Sequence, residues 1–262
     1  MTTTPDNFSR WLAALEARHR ADLTFAEIRR GLQALSSLYV ERRGRIASGA
    51  ALDGAGKRAA FALYLGPLHF LIVREVVRAL RAAEPAPTRI VDLGCGTGAA
   101  GAAWALESWP TPVYEGVDLS GWAAGEARFT LRTLGLRGRA QAGHLDRATL
   151  PGRGGAVVAA FTVNELDEAA RARLLMALLE AGRAGARVLV VEPISRRIAP
   201  WWRDWAAAFA TAGGRADEWR FPAALPETLA ALDRAAGLDH RDLLARSLWL
   251  GPSAEGVTSP PP

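Results

Sequence analysis

The chain is 262 residues long, 50% hydrophobic and 23% charged, which excludes a disulfide-stapled miniprotein and a disordered chain and suits one α/β domain with an added segment. Its single cysteine, Cys95, excludes an internal disulfide and any multi-cysteine zinc or iron–sulfur site. The net charge of +5 invites a nucleic-acid reading, but 31 of the 32 basic residues are arginine, as GC-rich coding would give, and the excess sits wholly in residues 1–87, with 13 basic and 8 acidic side chains.

With one cysteine the chain reads as cytoplasmic, and Met1 to Asp6 shows neither the basic start nor the apolar run of a signal peptide, so export is not expected. Trp11, Leu12 and Leu15, then Phe25, Ile28, Leu32 and Leu35, recur at helical steps, and Thr24 with Glu27 forms a capping-box pattern. A glycine-rich break from Gly44 to Gly56 precedes a long apolar helix expected over Arg58 to Ala83, kinked at Gly66-Pro67. Its apolar stretch, Phe61 to Val73, is too short for a membrane span, and no membrane partner is expected. Pro85-Ala86-Pro87 stops the helix, and the boundaries expected are a helical segment over 1–87, a main domain over 88–252 and a disordered tail over 253–262.

After residue 87, short apolar runs alternate with alanine-rich helices, the pattern of βα units on a parallel sheet. Strands are expected at Arg89 to Leu93, Val113 to Asp118, Ala140 to His144, Ala156 to Thr162 and Val188 to Glu192. Two more, Glu218 to Phe221 and Ser247 to Leu250, flank a helix from Pro226 to Ala236.

The first of these strands runs into Gly94-Cys95-Gly96-Thr97-Gly98 and then a helical stretch, so backbone N–H groups at a helix N-terminus meet a ligand closely. Asp92, at the strand end, suits an ammonium and would repel a dinucleotide pyrophosphate. Asp118 ends the next strand 20 residues after Gly98, where a carboxylate accepts from ribose hydroxyls. Gly143-His144-Leu145-Asp146 can place a polar group near an adenine edge, although Asp146 equally suits a helix cap.

With the DxGxGxG pattern of Asp92 to Gly98, the acidic end at Asp118 and the segment Ala159 to Leu166, residues 86–252 resemble the Rossmann-like class I S-adenosylmethionine-dependent methyltransferases. The resemblance implies an α/β fold with a seven-stranded, mostly parallel sheet whose last strand is antiparallel, and S-adenosylmethionine as cofactor with S-adenosylhomocysteine as product. It puts the methionine moiety over Gly94, Cys95, Gly96 and Gly98, the ribose on Asp118, and adenine near Leu119, Leu145 and Asp146; Phe161 completes the cofactor set. Cys95, with no histidine beside it, reads as a small packing residue of that loop, and no metal is expected.

Ligands of open α/β sheets bind at the carboxyl ends of the strands, which puts Asn164 and Glu165 beside the transferred methyl as candidate catalytic residues. Alternatively, Asn164 caps the following helix, with Asp167 at the box position. Asn164-Glu165-Leu166, with Val188 to Pro193 and the run Leu35 to Gly44, is also similar to the methyltransferase-like proteins associated with the small ribosomal subunit. That group's iron–sulfur cysteines are missing here. Arg42 and Arg43, with Arg45, Lys57 and Arg58, suit RNA phosphates or a solvated helix end. Trp201, Trp205 and Phe209 form a core stripe, leaving Trp202 to touch substrate; His19, His69 and His240 lack metal-ligand spacing, and His69 reads as a satisfied buried histidine. The function expected is RNA methylation, with the small ribosomal subunit as a partner. A small-molecule methyltransferase lidded by the helical segment and a non-catalytic ribosome-assembly or RNA-binding protein are the alternatives.

Overall fold

A computed structural model describes residues 6–41, 52–194 and 199–252. Helix α1, Asn7–His19, starts at Asp6, whose carboxylate accepts from the Ser9 amide at 2.7 Å; α2, Phe25–Glu41, starts with the expected box, in which Glu27 accepts from the Thr24 amide at 2.8 Å. Of the periodic residues, Trp11, Leu12, Leu15, Ile28, Leu32 and Leu35 are buried, whereas Phe25, in the first turn of α2, is exposed.

The long apolar helix is continuous from Ala55 to Ala79, four residues short of the expected end. It consists of α3, Ala55–Ala60, a π turn, Phe61–Leu65, and α4, Gly66–Ala79. The Gly66 amide reaches back to the Phe61 carbonyl. A widened turn is a way past Pro67, which has no N–H and whose ring would crowd the carbonyl four residues earlier. This run is long and apolar enough to cross a membrane, but 72% of its most apolar window is buried inside the fold.

The sheet comprises β1, Arg89–Leu93; β2, Val113–Asp118; β3, Gly138–Ala142; β4, Ala156–Ala160; β5, Arg187–Glu192; β6, Arg215–Pro222; and β7, Asp242–Leu250, in the spatial order β3-β2-β1-β4-β5-β7-β6. Strands β1 to β5 are mutually parallel, and β7 runs antiparallel between β5 and β6. Five further helices are α5, Ala99–Glu107; α6, Gly121–Leu134; α7, Glu168–Arg183; α8, Trp202–Thr211; and α9, Glu227–Ala236. Strand β3 begins two residues earlier than its apolar content suggests, because register with Tyr114 starts at Gly138. Strands β6 and β7 are longer than expected: β6 is an edge strand alternating exposed and half-buried residues, so Arg215 to Glu218 carry no apolar signal.

Alternation divides the core. Ile90, Tyr114, Val158, Leu189 and Trp249 face the N-terminal helices, α5 and α6, whereas Val91, Val117, Val157, Val190 and Leu248 face α7 and α8. The N-terminal helices therefore share a core with the sheet: α1 lies on α6, α4 on α5 and α2 on α9. Polar contacts fix these docks. The Trp11 indole donates to Thr130 Oγ1 at 3.0 Å, buried Glu126 takes Arg18 and His19, each at 3.0 Å, and the Tyr64 hydroxyl meets Asp233, which also holds His240. Strand order reverses between β1 and β4, which opens a crevice at their carboxyl ends.

Because Trp11 is fully buried, Trp11→Ala is expected to lower unfolding free energy by about 3–5 kcal/mol in urea titration. Trp109→Ala, at a side chain 87% exposed, should stay within about 0.5 kcal/mol of the parent.

Candidate functional site

The turn after β1 is held from three sides. The Gly94 and Cys95 amides both donate to the Val117 carbonyl, at 2.9 and 3.0 Å, and the Thr162 hydroxyl, just past β4, donates to the carbonyls of Leu93 and Gly94 at 3.2 Å. A Cβ on Gly94 would lie 2.3 Å from Thr162 Cγ2, so only glycine lets the two strand ends meet. From the third side, a Cβ on Gly66 would lie 2.6 Å from Thr97 Oγ1, and the Phe61 ring sits 3.4 Å from where a Gly96 Cβ would stand. Gly96 has φ +52°, and Gly98, at φ +79°, leads into α5.

Asp92 lies beneath this turn, buried, with Oδ2 accepting from the Gly101 amide at 2.9 Å and the Tyr114 hydroxyl at 3.0 Å; its Oδ1 has no hydrogen-bond partner. Burial pushes its carboxyl up to about 7. Asp118 accepts from the Gly96 amide at 2.9 Å through Oδ2 and from the Ser120 amide at 2.8 Å through Oδ1; burial pushes its carboxyl up too. Leu119, beside it, is 59% exposed. Leu145 is half-buried against the α7 side of the core, and Asp146 is exposed on a short 3₁₀ turn, Leu145–Arg147. Cys95 is buried and its thiol is held protonated by burial, consistent with packing.

Past β4, Phe161 takes a left-handed backbone, φ +58°, rare for a bulky side chain, and stacks face to face on His69 with centroids 3.7 Å apart and planes 12° from parallel. Asn164 is tied at both ends: its amide nitrogen donates to Glu192 Oε2, and its oxygen accepts from the Trp201 indole at 3.0 Å. Glu192 Oε1 also takes the Val163 amide at 2.8 Å, and burial pushes the Glu192 carboxyl up to about 8. Glu165 is half-buried, near enough to raise Glu192 further. The cap of α7 is Asp167, which accepts from the Ala170 amide at 2.7 Å, not Asn164. Trp201, Trp205 and Phe209 are core; Trp202 has Arg246 over its ring at 4.1 Å. Arg42 and Arg43 lie outside the described residues.

The structure thus brings Asp92, Gly94, Cys95, Gly96, Gly98, Asp118, Phe161 and Asn164 to one end of the sheet. Glu192 has no role by sequence pattern, although a carboxylate closing a buried strand is a visible signal. His69, a satisfied buried histidine by sequence, is half-buried and stacked on Phe161.

The residues fit S-adenosylmethionine. The orphan Asp92 Oδ1 suits its ammonium, the Thr97, Ala99 and Ala100 amides at the start of α5 its carboxylate, Asp118 its ribose and the exposed Leu119 its adenine. Among the described residues no group of three or more histidine, cysteine or acidic side chains is placed to hold a metal ion.

A sheet of this order with a reversed β7, a glycine turn after β1 and an acidic end on β2 defines a Rossmann-like S-adenosylmethionine-dependent methyltransferase. A family model of the O-methyltransferase domain matches residues 25–200, and the chain belongs to that family. Among solved structures, the mitomycin 7-O-methyltransferase MmcR is 16% identical, over 95% of this chain and 74% of that one, with a TM-score of 0.51. A methyltransferase of Aquifex aeolicus is 14% identical, over 70% and 90%, with a TM-score of 0.48. The magnesium protoporphyrin IX methyltransferase of Synechocystis, with bound S-adenosylhomocysteine, is 14% identical, over 83% and 98%, with a TM-score of 0.46. A search among curated protein sequences gives no match.

Asp118→Ala should weaken S-adenosylhomocysteine binding by about 1.5–3 kcal/mol in calorimetry, the cost of losing hydrogen bonds to a charged group. A second expectation concerns pH. Asp92 and Glu192 keep protons in the folded protein at pH values where the unfolded chain, near 3.8 and 4.5, has lost them. The stability these two groups contribute is therefore fullest below about pH 4 and is lost as pH rises through about 7 and 8, by at most about 1.4 kcal/mol per pH unit for each group. Urea titrations from pH 4.5 to 8.5 should show this decline, and Asp92→Asn should flatten its lower part.

Proposed function

We propose that the protein transfers the methyl group of S-adenosylmethionine to a hydroxyl oxygen of a small molecule. The observation that carries this reading is the match of residues 25–200 to the O-methyltransferase domain. The lining of the crevice supports it: Phe61 stands over Gly96 of the turn, with His69 and Trp122 edge-on to it at 6.5 and 6.4 Å and Phe161 stacked on His69, an aromatic surface suited to burying a compact apolar molecule. MmcR is itself named for 7-O-methylation of mitomycin.

When bound, S-adenosylmethionine supplies a methyl on a sulfonium leaving group, so the protein's task is alignment and removal of the hydroxyl proton. Thr162 locks the end of β4 to Gly94. Glu192 then holds the Val163 and Asn164 amides, and Asn164 bridges to Trp201, which fixes the backbone from Phe161 to Glu165 at the crevice. The helix from Ala55 to Ala79 lies against the turn through Gly66 and Phe61.

RNA methylation and a ribosomal partner draw no support from the family match or from the relatives described above; of the arginines that suggest them, Arg42, Arg43 and Arg45 lie outside the described residues, and Arg58 donates to the Leu52 carbonyl and lies over the Trp122 ring. A cytoplasmic location remains part of the proposal, resting on the single cysteine.

Calorimetric titration with S-adenosylmethionine and S-adenosylhomocysteine should give micromolar binding, about −7 to −8 kcal/mol. A tritiated-methyl assay should then find label in small hydroxyl compounds and none in total RNA. Label in RNA, or no binding of either nucleoside, would overturn the reading.

A further inference from the structure

We propose that His69, on the N-terminal helix, is the group that receives the substrate's hydroxyl proton during methyl transfer. This rests on the O-methylation reading. Three contacts orient the helix so that His69 faces the crevice. Gly66, one turn earlier on the same face, abuts Thr97 of the glycine turn. Phe61, whose ring stands over Gly96, lies edge-on to His69 at 6.5 Å and 89°. Phe161, stacked on the imidazole at 3.7 Å, immediately precedes Thr162, which bonds the Gly94 carbonyl. His69 is thus held between two rings, each adjoining the turn that receives the methionine moiety.

The other histidines are occupied or elsewhere. His19 is bonded to Glu126, His240 to Asp233, and His144 is exposed beyond the edge strand β3. Among the described residues no group hydrogen-bonds to the His69 ring, which is half-buried and so open on part of its surface. Burial lowers its pKa to about 3, so the imidazole is neutral at physiological pH and offers one nitrogen lone pair.

A lone pair on the substrate oxygen forms the bond to the methyl carbon, and the methyl–sulfur bond breaks with its electrons retained by sulfur. The hydroxyl proton moves to the imidazole and is afterwards released to water. A weak base suffices, because the oxygen becomes strongly acidic as its third bond forms. The face-to-face stack with Phe161 fixes the ring plane, so the acceptor lone pair is presented in one orientation without needing a hydrogen bond from the protein.

Labelling of the imidazole needs no known substrate. The ligand-free protein is treated with diethyl pyrocarbonate, which modifies neutral imidazole, and labelled histidines are mapped by mass spectrometry with and without S-adenosylhomocysteine. His69 should be labelled, and S-adenosylhomocysteine at about ten times its Kd should slow that labelling roughly tenfold while leaving His144 unchanged. No label at His69, or equal labelling while calorimetry shows the ligand bound, overturns the inference and leaves the methyltransferase reading standing. Failure of the ligand to bind overturns both. His69→Asn, with His69→Gln as a second variant should the first not fold, separates proton acceptance from cofactor packing. S-adenosylhomocysteine affinity should stay within about twofold of the parent, and kcat for the first hydroxyl compound labelled should fall about 100-fold. A parallel loss of affinity, or an unchanged kcat, overturns the role.

Discussion

Close approach of three backbones around the turn after β1 is the constraint from which the rest of the site follows. Thr162 comes against Gly94 from β4, the Val117 carbonyl takes two amides of the turn from β2, and Gly66 with Phe61 closes on Thr97 and Gly96 from the N-terminal helix. Side chains at Gly94 or Gly66 would fill the space that these contacts use. Interiors transmit displacements because they are close-packed, so a shift of the helix is felt at the turn. The N-terminal helices therefore belong to the site as much as the sheet does.

Around this junction the polar groups are divided by purpose. Asp118 spends both oxygens on amides of the turn and of α6, keeping the acidic strand end in a defined place before any ligand arrives. Asp92 spends one oxygen on α5 and Tyr114 and leaves the other buried without a partner, an uncompensated group of the kind that a cationic ligand relieves. Glu192 is engaged at both oxygens and organises the segment after β4. Each carboxyl is costly to ionise where it stands, and each in return fixes backbone that would otherwise be loop.

Much of this was legible in the sequence because it depends on local pattern. Alternating apolar runs marked β1, β2, β4 and β5, and three glycines in five residues after a strand marked the turn. Strand β6 is only half visible in the sequence because edge strands do not need apolar residues on the exposed face. Asn164 was chosen as a catalytic candidate for its place after β4. Its amide is instead shared between Glu192, 28 residues on, and Trp201, 37 residues on, and no local pattern encodes such distant bonds.

His69 shows the same division. An apolar helix with one histidine reads from sequence as core, and most of that helix is core. That the imidazole stacks on Phe161, 92 positions away, follows from the packing of α4 beside the β1–β4 crevice and from the left-handed backbone at Phe161. The sequence by itself determined the class of fold, the glycine turn, the two acidic strand ends and hence the cofactor, since these are set by residue type and spacing within a few βα units. Only the tertiary structure decided which side chains face the methyl-transfer position. That depends on how an N-terminal helix and the ends of two non-adjacent strand segments come together, and contacts over such separations are fixed by packing of the whole core rather than by any stretch of chain.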